Sequence, residues 1–328
     1  MKDKLLAILI PTYNRIESLM INLNMLEYHI KNLNCYDDIK IIVSDNNSID
    51  GTYATVKEFF DTRMVDYNIF KQASNLGPEQ NCVFCLKESN AKYSMFLGDD
   101  DYIDIRYLRK VLNYIKNDEN ITCIIPNFYA IDSAFNKMGE PRDVIIEDQF
   151  YLLNNNRIDL MFKAHQMSGL VFKTEGTLES YLSKDGENLY LFMYFAAFNI
   201  KRGKTIHILR FPVKVTTTNS KDWTYGDDGL ITDVIQNIGM IAQSDKERFA
   251  LERIFLRANK WRYLQYHKNQ IPFLKIVFTS ERYPLKLRWY IVWRIIVDSA
   301  IATTKKDIKL MFKIFGYEIK QRKFIKKK

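Results

Sequence analysis

Over the first 130 or so residues, short apolar runs that stop at polar turns alternate with longer stretches of helical periodicity. Leu5-Leu6-Ala7-Ile8-Leu9-Ile10 reads as a buried strand halted by Pro11, and Pro11-Thr12-Tyr13-Asn14-Arg15 turns into a helix reaching about Lys31. In that helix Leu19, Leu23, Leu26 and Ile30 recur at helical spacing. A second strand, Ile39 to Val43, runs into Ser44-Asp45-Asn46-Asn47-Ser48-Ile49-Asp50-Gly51-Thr52, dense in turn and capping residues, and a helix follows to about Phe60. Tyr67 to Phe70 is a third strand. Asn75-Leu76-Gly77-Pro78 leads into a helix to about Glu88, and Tyr93-Ser94-Met95-Phe96-Leu97 is a fourth strand. Asp104 to Lys116 is helical and Ile121 to Pro126 a fifth strand. The alternation predicts an α/β fold of right-handed βαβ units around a mostly parallel sheet.

After Asn127 the pattern loosens into an irregular or hairpin excursion through Gln149. Ser168 to Phe172 predicts a short strand and Glu187 to Asn199 an aromatic-rich buried helix. Thr205 to Leu209 and Pro212 to Thr216 predict two more strands. From about Asp227 the signal is helical to the end, with Pro272 and Pro284 as punctuation. A domain change is placed near Ser220, giving domains 1–220 and 221–328.

Three strand ends carry polar loops: Thr12-Tyr13-Asn14-Arg15, Asp45-Asn46-Asn47-Ser48 and Asp99-Asp100-Asp101. In a doubly wound sheet they converge on one edge, where such sheets bind ligands. Three adjacent carboxylates repel one another. A hard divalent cation, Mg²⁺ or Mn²⁺, bridging them to a phosphate gives a reason to keep them; the plainer account is an acidic turn capping the next helix. The chemistry that suits all three loops is a nucleotide diphosphate. Asp45 accepts from a base N–H, hydroxyls and amides meet the ribose, and a metal at the triplet neutralises the diphosphate. No GxGxxG follows the first strand and no GxxxxGK[ST] occurs, which disfavours dinucleotide and P-loop enzymes.

The charge is unevenly placed. Of 48 Lys/Arg and 39 Asp/Glu, 22 and 6 respectively lie from Lys246 onward, a net +16 there against +9 for the whole chain. A strongly basic tail suits an anionic surface. In it Arg282-Tyr283-Pro284-Leu285-Lys286-Leu287-Arg288-Trp289-Tyr290 mixes cations with aromatics. Ile308, Met311, Phe312 and Phe315 fall at helical spacing among lysines, as in a helix lying on a membrane. A solvated extension folding over the body of the chain, or a dimer contact, accounts for the same pattern. No apolar run reaches the ~20 residues that span a bilayer, no signal peptide is seen, and Cys35, Cys82, Cys85 and Cys123 make no disulfide framework. A cytoplasmic location, peripheral to the inner face of the membrane, is the expectation. Cys82 and Cys85 form a CxxC inside a helical pattern, read as core. His165 and His207 read as structural, and Tyr190, Phe192, Tyr194, Phe195 and Phe198 as core. Trp223 and Tyr225 suit either a stacking face for a ligand or the domain junction.

The motifs together resemble a known family. Ile8 to Arg15 looks like the opening of the family 2 glycosyltransferases with the GT-A fold. Ile41 to Thr52 is similar to their "VVDDGSTDGT" segment, Asn75-Leu76-Gly77 to their N-x-G, and Phe96 to Asp101 to their "FLDxDD". Ser168 to Lys173 is similar to the acceptor-side segment of bacterial polysaccharide transferases. The resemblance implies an inverting, metal-dependent transfer of a sugar from a nucleotide-sugar, commonly UDP-linked, to a hydroxyl of a growing, lipid-linked bacterial surface glycan. It implies donor contacts at Pro11, Thr12, Tyr13, Asn14, Arg15, Asp45, Asn75 and Gly77, with Asp99 near the ribose. Asp100 becomes the main metal ligand and Asp101 a second ligand or orienter; a shifted register would make the pair Asp99 and Asp101. Asn46 stands where the family has a second acid. In the family a Glu-Asp pair supplies the general base; here the comparable stretch is Lys184-Asp185-Gly186-Glu187-Asn188, which leaves Glu187 or Asp185 for that role. Both acids also suit a helix N-terminus. The rival class is a non-catalytic nucleotide- or RNA-binding protein, against which the intact triplet argues; no nucleic-acid partner is expected.

Overall fold

A computed structural model describes residues 4–145, 147–153, 157–184, 188–217, 231–259 and 270–298. By backbone proximity the chain falls into two units, Met1–Thr224 with Gln236–Gln243 and Tyr225–Ile235 with Ser244–Lys328. The boundary expected at 220 lies outside the described residues.

In the first unit the strands are β1 (Leu6–Thr12), β2 (Ile39–Asp45), β3 (Asp66–Lys71), β4 (Tyr93–Phe96), β5 (Ile121–Ile131), β6 (Lys137–Met138), β7 (Gln149–Tyr151), β8 (Val171–Lys173) and β9 (Lys204–Thr216). They form one mixed sheet in the order β3-β2-β1-β4-β8-β5-β9-β7, with β6 paired antiparallel to β5, the hairpin form of the irregular or hairpin excursion expected after Asn127. Strands β1 to β4 are mutually parallel, and β5 runs parallel to β9. Strands β1, β2 and β4 are buried on both faces, which the Leu and Ile run of β1, the Ile and Val run of β2 and the large Tyr93, Met95 and Phe96 of β4 fit. Helices α1 (Ile16–Leu33), α2 (Thr52–Asp61), α3 (Gly77–Lys87) and α4 (Ile105–Asn117) follow β1 to β4 in turn.

Helix α1 buries Leu19, Leu23, Leu26 and Ile30, the stripe that its spacing predicts. In α4, Tyr107, Leu108, Val111, Leu112 and Ile115 form the buried face, and the N-cap is Asp104, whose carboxylate accepts from the Arg106 N–H at 2.8 Å. The acidic triplet is therefore not the cap.

The half beyond β4 differs from simple alternation. β8 is antiparallel and wedges between β4 and β5. Gly169 enters it at φ +85°, where a Cβ would lie 2.7 Å from Val213 and 3.3 Å from Pro126, so only glycine fits. β5 continues past Pro126 to Ile131. The two strands expected at 205–209 and 212–216 are one, β9, broken by a bulge: its pairing with β5 jumps from Pro126↔Ile208 to Phe128↔Val213. The extra residues include Pro212, which has no N–H for a ladder, and Phe211 at φ 59°. Two further helices complete this part, α5 (Thr177–Leu182) and α6 (Leu191–Ile200), with a 3-10 helix at Ile158–Ala164. Phe192, Tyr194 and Phe195 of α6 are buried; Phe195 stacks near Phe96 and Phe172 at 6.1 and 5.3 Å, confirming them as core.

Helix α7 (Ile231–Ile241) leads on to α8 (Asp245–Ala258) and α9 (Gln270–Thr279), and residues 285–298 are helical. In the second unit Leu251, Phe255, Leu256, Phe273, Val277, Tyr283, Leu287, Ile291 and Ile295 are buried. The Ser244 hydroxyl caps α8 by accepting from the Glu247 N–H. Among the described residues no helix is long and apolar enough to cross a membrane. The expected membrane helix around Ile308 to Phe315, like Trp223 and Tyr225, lies outside the described residues.

Candidate active site

Because β1 sits between β2 and β4, with Thr12 in register with Asp45, the three polar loops meet at the carboxyl edge of the sheet. The hydrogen bonds join them in sequence. The Asn46 N–H donates to the Thr12 carbonyl at 2.9 Å, and the Asn14 N–H donates to Ser48 Oγ at 2.8 Å. Asn14 Oδ1 in return accepts from the Ile49 N–H at 2.9 Å; Asn14 takes a left-handed φ of 51°, which asparagine tolerates. Pro11 pairs with Ser44 and ends the apolar run, and Tyr13 lies in the turn that follows.

The triplet closes the constellation from the other side. Thr12 Oγ1 donates to Asp99 Oδ2 at 2.8 Å, and Arg15 Nη1 lies 2.6 Å from Asp100 Oδ2 and 3.4 Å from Asp99 Oδ1. Asp99 and Asp101 are buried and Asp100 is partly exposed. Burial, then the charge of Asp100, pushes both Asp99 and Asp101 up to about 7, against the pull of Arg15 and Thr12 on the one and of Ser168 and the Thr216 N–H on the other.

Asp101 turns inward. Its Oδ2 accepts from Gln166 Nε2 at 2.9 Å and from the Ser168 hydroxyl, and its Oδ1 accepts from the Thr216 N–H at 2.9 Å. Three donors on a buried carboxylate make it a brace that ties the triplet to β9 and to the segment before β8. Of the two roles expected for Asp101, the geometry favours orienter over second metal ligand. It also explains the glycine where the family has its first acid. A Cβ on Gly98 would stand 2.9 Å from Asp101 Oδ2 and 3.2 Å from Ser168 Oγ. Gly98→Ala is therefore expected to cost ~1–3 kcal/mol through overpacking, read as a lowered denaturation midpoint; an unchanged midpoint would mean that Asp101 can swing away freely.

At the other end of the site Asp45 is fully buried. Its Oδ1 accepts from the Ser48 N–H at 2.8 Å, while Oδ2 is shut from solvent and meets no donor. A buried carboxylate oxygen without a partner is costly unless a ligand supplies a donor. Asn75 Oδ1 accepts from the Gly77 N–H at 2.9 Å and from Asn46 Nδ2 at 2.8 Å, and Gly77 takes φ +80°, which explains the glycine of N-x-G. Asn46 gains a role here: its Oδ1 also accepts from the Leu76 N–H at 2.8 Å, so the amide uses donor and acceptor together to hold the neighbouring loop. An aspartate could not donate to Asn75.

Sequence reading missed Asn22 as well. From within the apolar stripe of α1 its amide donates to the carbonyls of Gly98 (2.9 Å) and Asp101 (2.8 Å), clamping the triplet turn. The signal was available, as a buried asparagine between Leu19 and Leu23.

Glu187 and Asp185 lie outside the described residues. Their flanks are anchored: Glu79 on α3 accepts from the Asn188 N–H at 2.8 Å and from the Tyr181 hydroxyl. Asn188 Oδ1 accepts from the Tyr190 N–H at 2.8 Å and Asn237 Nδ2 at 3.2 Å, and its Nδ2 donates to Gln236 at 3.3 Å. Helix α6 starts at Leu191 with Tyr190 as N-cap, later than the expected Glu187, so neither acid is its cap residue.

Cys82 and Cys85 are buried free thiols whose pKa burial raises, and His207 is buried against Arg142 and Asp143, which fits structural roles. Among the described residues no group of three His, Cys, Asp or Glu side chains is arranged to hold a metal by itself. A cavity of about 250 Å³ lined by Tyr151, Arg157, Lys201 and Thr205 lies at the β7–β9 side and includes none of the residues above. The convergent loops carry the chemistry, so the site is placed there.

An open α/β sheet with an acid cluster at the carboxyl edge, where the strand order reverses between β1 and β4, is what the geometry defines. The family model for glycosyl transferase family 2 matches residues 7–175, and the chain belongs to that family. It is 31% identical over 157 residues to the abequosyltransferase RfbV of Salmonella typhimurium, a match covering 46% of this chain and 45% of that protein; the aligned part thus spans about half of the relative's length. Among solved structures, TarS residues 1–349 of S. aureus in complex with UDP-GlcNAc is similar in fold, with a TM-score of 0.65, 16% identity, and 86% and 82% of the two chains covered. The mannosyltransferase PcManGT of Pyrobaculum calidifontis, in complex with GDP-Man and Mn²⁺, gives 0.54, 13%, and 92% and 81%. These likenesses confirm the expected α/β GT-A architecture.

Proposed function

We propose that this chain is an inverting glycosyltransferase, with residues 1–220 as its catalytic domain. It moves a sugar from a nucleotide-sugar, UDP-linked in the first instance, to a hydroxyl of a growing, lipid-linked bacterial surface glycan. One observation carries the reading: Thr12, Arg15, Asp45 and Asp99-Asp100 meet at one sheet edge, with an orphaned buried oxygen on Asp45 at one end and a strained carboxylate cluster at the other. The relative's name and the nucleotide-sugars bound to the fold neighbours support it.

In this reading the orphaned Asp45 Oδ2 accepts from the base, and the loop around Asn75 and Gly77, held by Asn46, shapes the base pocket. Pro11, Thr12, Tyr13 and Asn14 line the ribose together with Asp99. Asp99 and Asp100 are adjacent hard oxygen donors, one buried and one partly exposed, that gather positive charge in Arg15; Asp100 would hold Mg²⁺ or Mn²⁺, with Asp99 beside it. When bound, the cation supplies neutralising charge for the departing nucleotide diphosphate. Asp101, Asn22 and Thr216 keep the triplet turn in place. Glu187, or Asp185, takes the proton of the acceptor hydroxyl as that oxygen attacks the anomeric carbon from the face opposite the diphosphate.

Calorimetric titration with nucleoside diphosphates and Mn²⁺ tests the reading. Asp45→Ala is expected to weaken UDP binding ~10–100-fold, the value of a buried bond to a charged acceptor; equal affinity would move the base elsewhere. Because Asp99 and Asp101 are raised to about 7, the cluster retains a proton below neutrality. Binding of Mn²⁺ with UDP should therefore strengthen from pH 6 to pH 8 and then level off. The same raised values make these two groups' contribution to the stability of the unliganded chain fall as pH rises from about 4 to about 7.

A further inference from the structure

The helical residues 285–298 are apolar on two faces. The buried face is Leu287, Ile291 and Ile295. The exposed face is also apolar: Leu285, Trp289, Trp293 and Ile296 are 67%, 61%, 50% and 63% exposed. Those four fall at i, i+4, i+8 and i+11, one continuous stripe along the helix. Phe278 of α9, also exposed, meets Trp289 edge-on with ring centroids 6.0 Å apart and widens the patch. An exposed apolar stripe of this kind marks an interaction surface.

Charge selects the occupant. Lys275, one turn before Phe278, and Lys286, next to Leu285 and with its ammonium over the Phe249 ring, are exposed, and the Arg288 guanidinium donates to the carbonyls of Phe278, Ser280 and Tyr283. The sequence from Lys246 onward carries 22 Lys/Arg against 6 Asp/Glu. A second copy of this chain, or its own basic C-terminal residues, would bring like charge to the face. A hydrocarbon boundary under anionic headgroups matches both halves of the pattern, with tryptophans at the depth they prefer. Arg288, Arg294 and Asp298 interrupt the helix's apolar positions, and among the described residues no helix is long and apolar enough to cross a membrane, so the pattern is that of a helix lying on the surface.

We propose that the face formed by Leu285, Trp289, Trp293 and Ile296 docks the protein onto an anionic lipid surface. The inference deepens the lipid-linked acceptor reading, and its test is independent of transfer. The full chain is sedimented with vesicles of phosphatidylglycerol and phosphatidylcholine or of phosphatidylcholine alone, and its tryptophan fluorescence is followed with bromine-labelled acyl chains. Wild type is expected to bind the anionic vesicles, less so at high salt, with its fluorescence quenched. Trp289→Ser/Trp293→Ser is expected to lose binding at least ~10-fold while circular dichroism and the unfolding midpoint are kept. Trp289→Phe/Trp293→Phe should bind nearly as wild type with most of the quenching gone, which guards against a folding artefact. Transfer to a soluble acceptor should be equal in all three; loss of transfer with vesicle binding intact would strike the enzymatic reading and leave this one standing. Equal binding by the Ser variant, no preference for anionic lipid, or a wild-type dimer in sedimentation velocity that the Ser variant abolishes would overturn the proposal, the last in favour of a second copy.

Discussion

Asp100→Asn is expected to lower kcat ~10²–10³-fold, the range for losing one group that stabilises a developing anion, here the cation that the Asp100 carboxylate would hold, and to weaken Mn²⁺-supported donor binding. The fold should persist. Asp100 is less buried than either neighbouring acid and lies against Arg15, so an amide of equal size keeps the packing while removing the charge. The informative control is Asp101→Asn. Its carboxylate is buried against Gln166, Ser168 and the Thr216 N–H, and an amide would turn a donor toward one of those three donors. That variant should lose stability first, seen as a lower unfolding midpoint, with the cation requirement of the remaining activity unchanged. Unchanged turnover and metal dependence in Asp100→Asn would remove Asp100 from the site and favour the register in which Asp99 and Asp101 act.

The second large effect is expected at the base. Glu187→Gln should depress kcat ~10²–10⁴-fold, the range for losing a general base, with donor affinity nearly intact. Asn188 itself is unsuited to the role. Where the family has its second acid this chain has Asn188, whose side chain holds Tyr190 and Asn237 through Oδ1 and Gln236 through Nδ2. A side chain so committed holds the segment and takes no proton. Asp185→Asn is the paired variant: if it alone stops transfer, the base is two residues earlier. If neither does, the base lies outside this segment.

The sequence was most legible where a single interaction dominates. Strands β1 to β4 and helices α1 to α4 follow from apolar runs and helical stripes, and the convergence of their loops follows from the handedness of βαβ connections. Long-range pairing was not legible. Nothing local in Val171–Lys173 says that β8 runs antiparallel between β4 and β5; the turn at Gly169, packed against Val213 and Pro126, decides it. The break at Phe211-Pro212 reads as a gap between strands, yet β9 carries through it because both sides pair with the same β5. In the site, Asp45 and the triplet announced themselves by composition. Asn22, Asn46 and Ser168 did not, because their work depends on donors and acceptors about 30 to 80 residues away. The inward turn of Asp101 was hidden for the same reason, although Gly98 in place of an acid was its trace.

The most direct test of the account is turnover across a panel of UDP-, GDP- and dTDP-sugars, scored as release of the nucleoside diphosphate with Mn²⁺, with Mg²⁺ and with a chelator. The account predicts that one sugar-nucleotide is consumed, that the chelator stops the reaction, that a divalent cation restores it, and that Asp100→Asn fails under every condition. Consumption that is indifferent to the chelator and to Asp100→Asn, or no consumption of any donor by a protein that still binds nucleoside diphosphate, would contradict it.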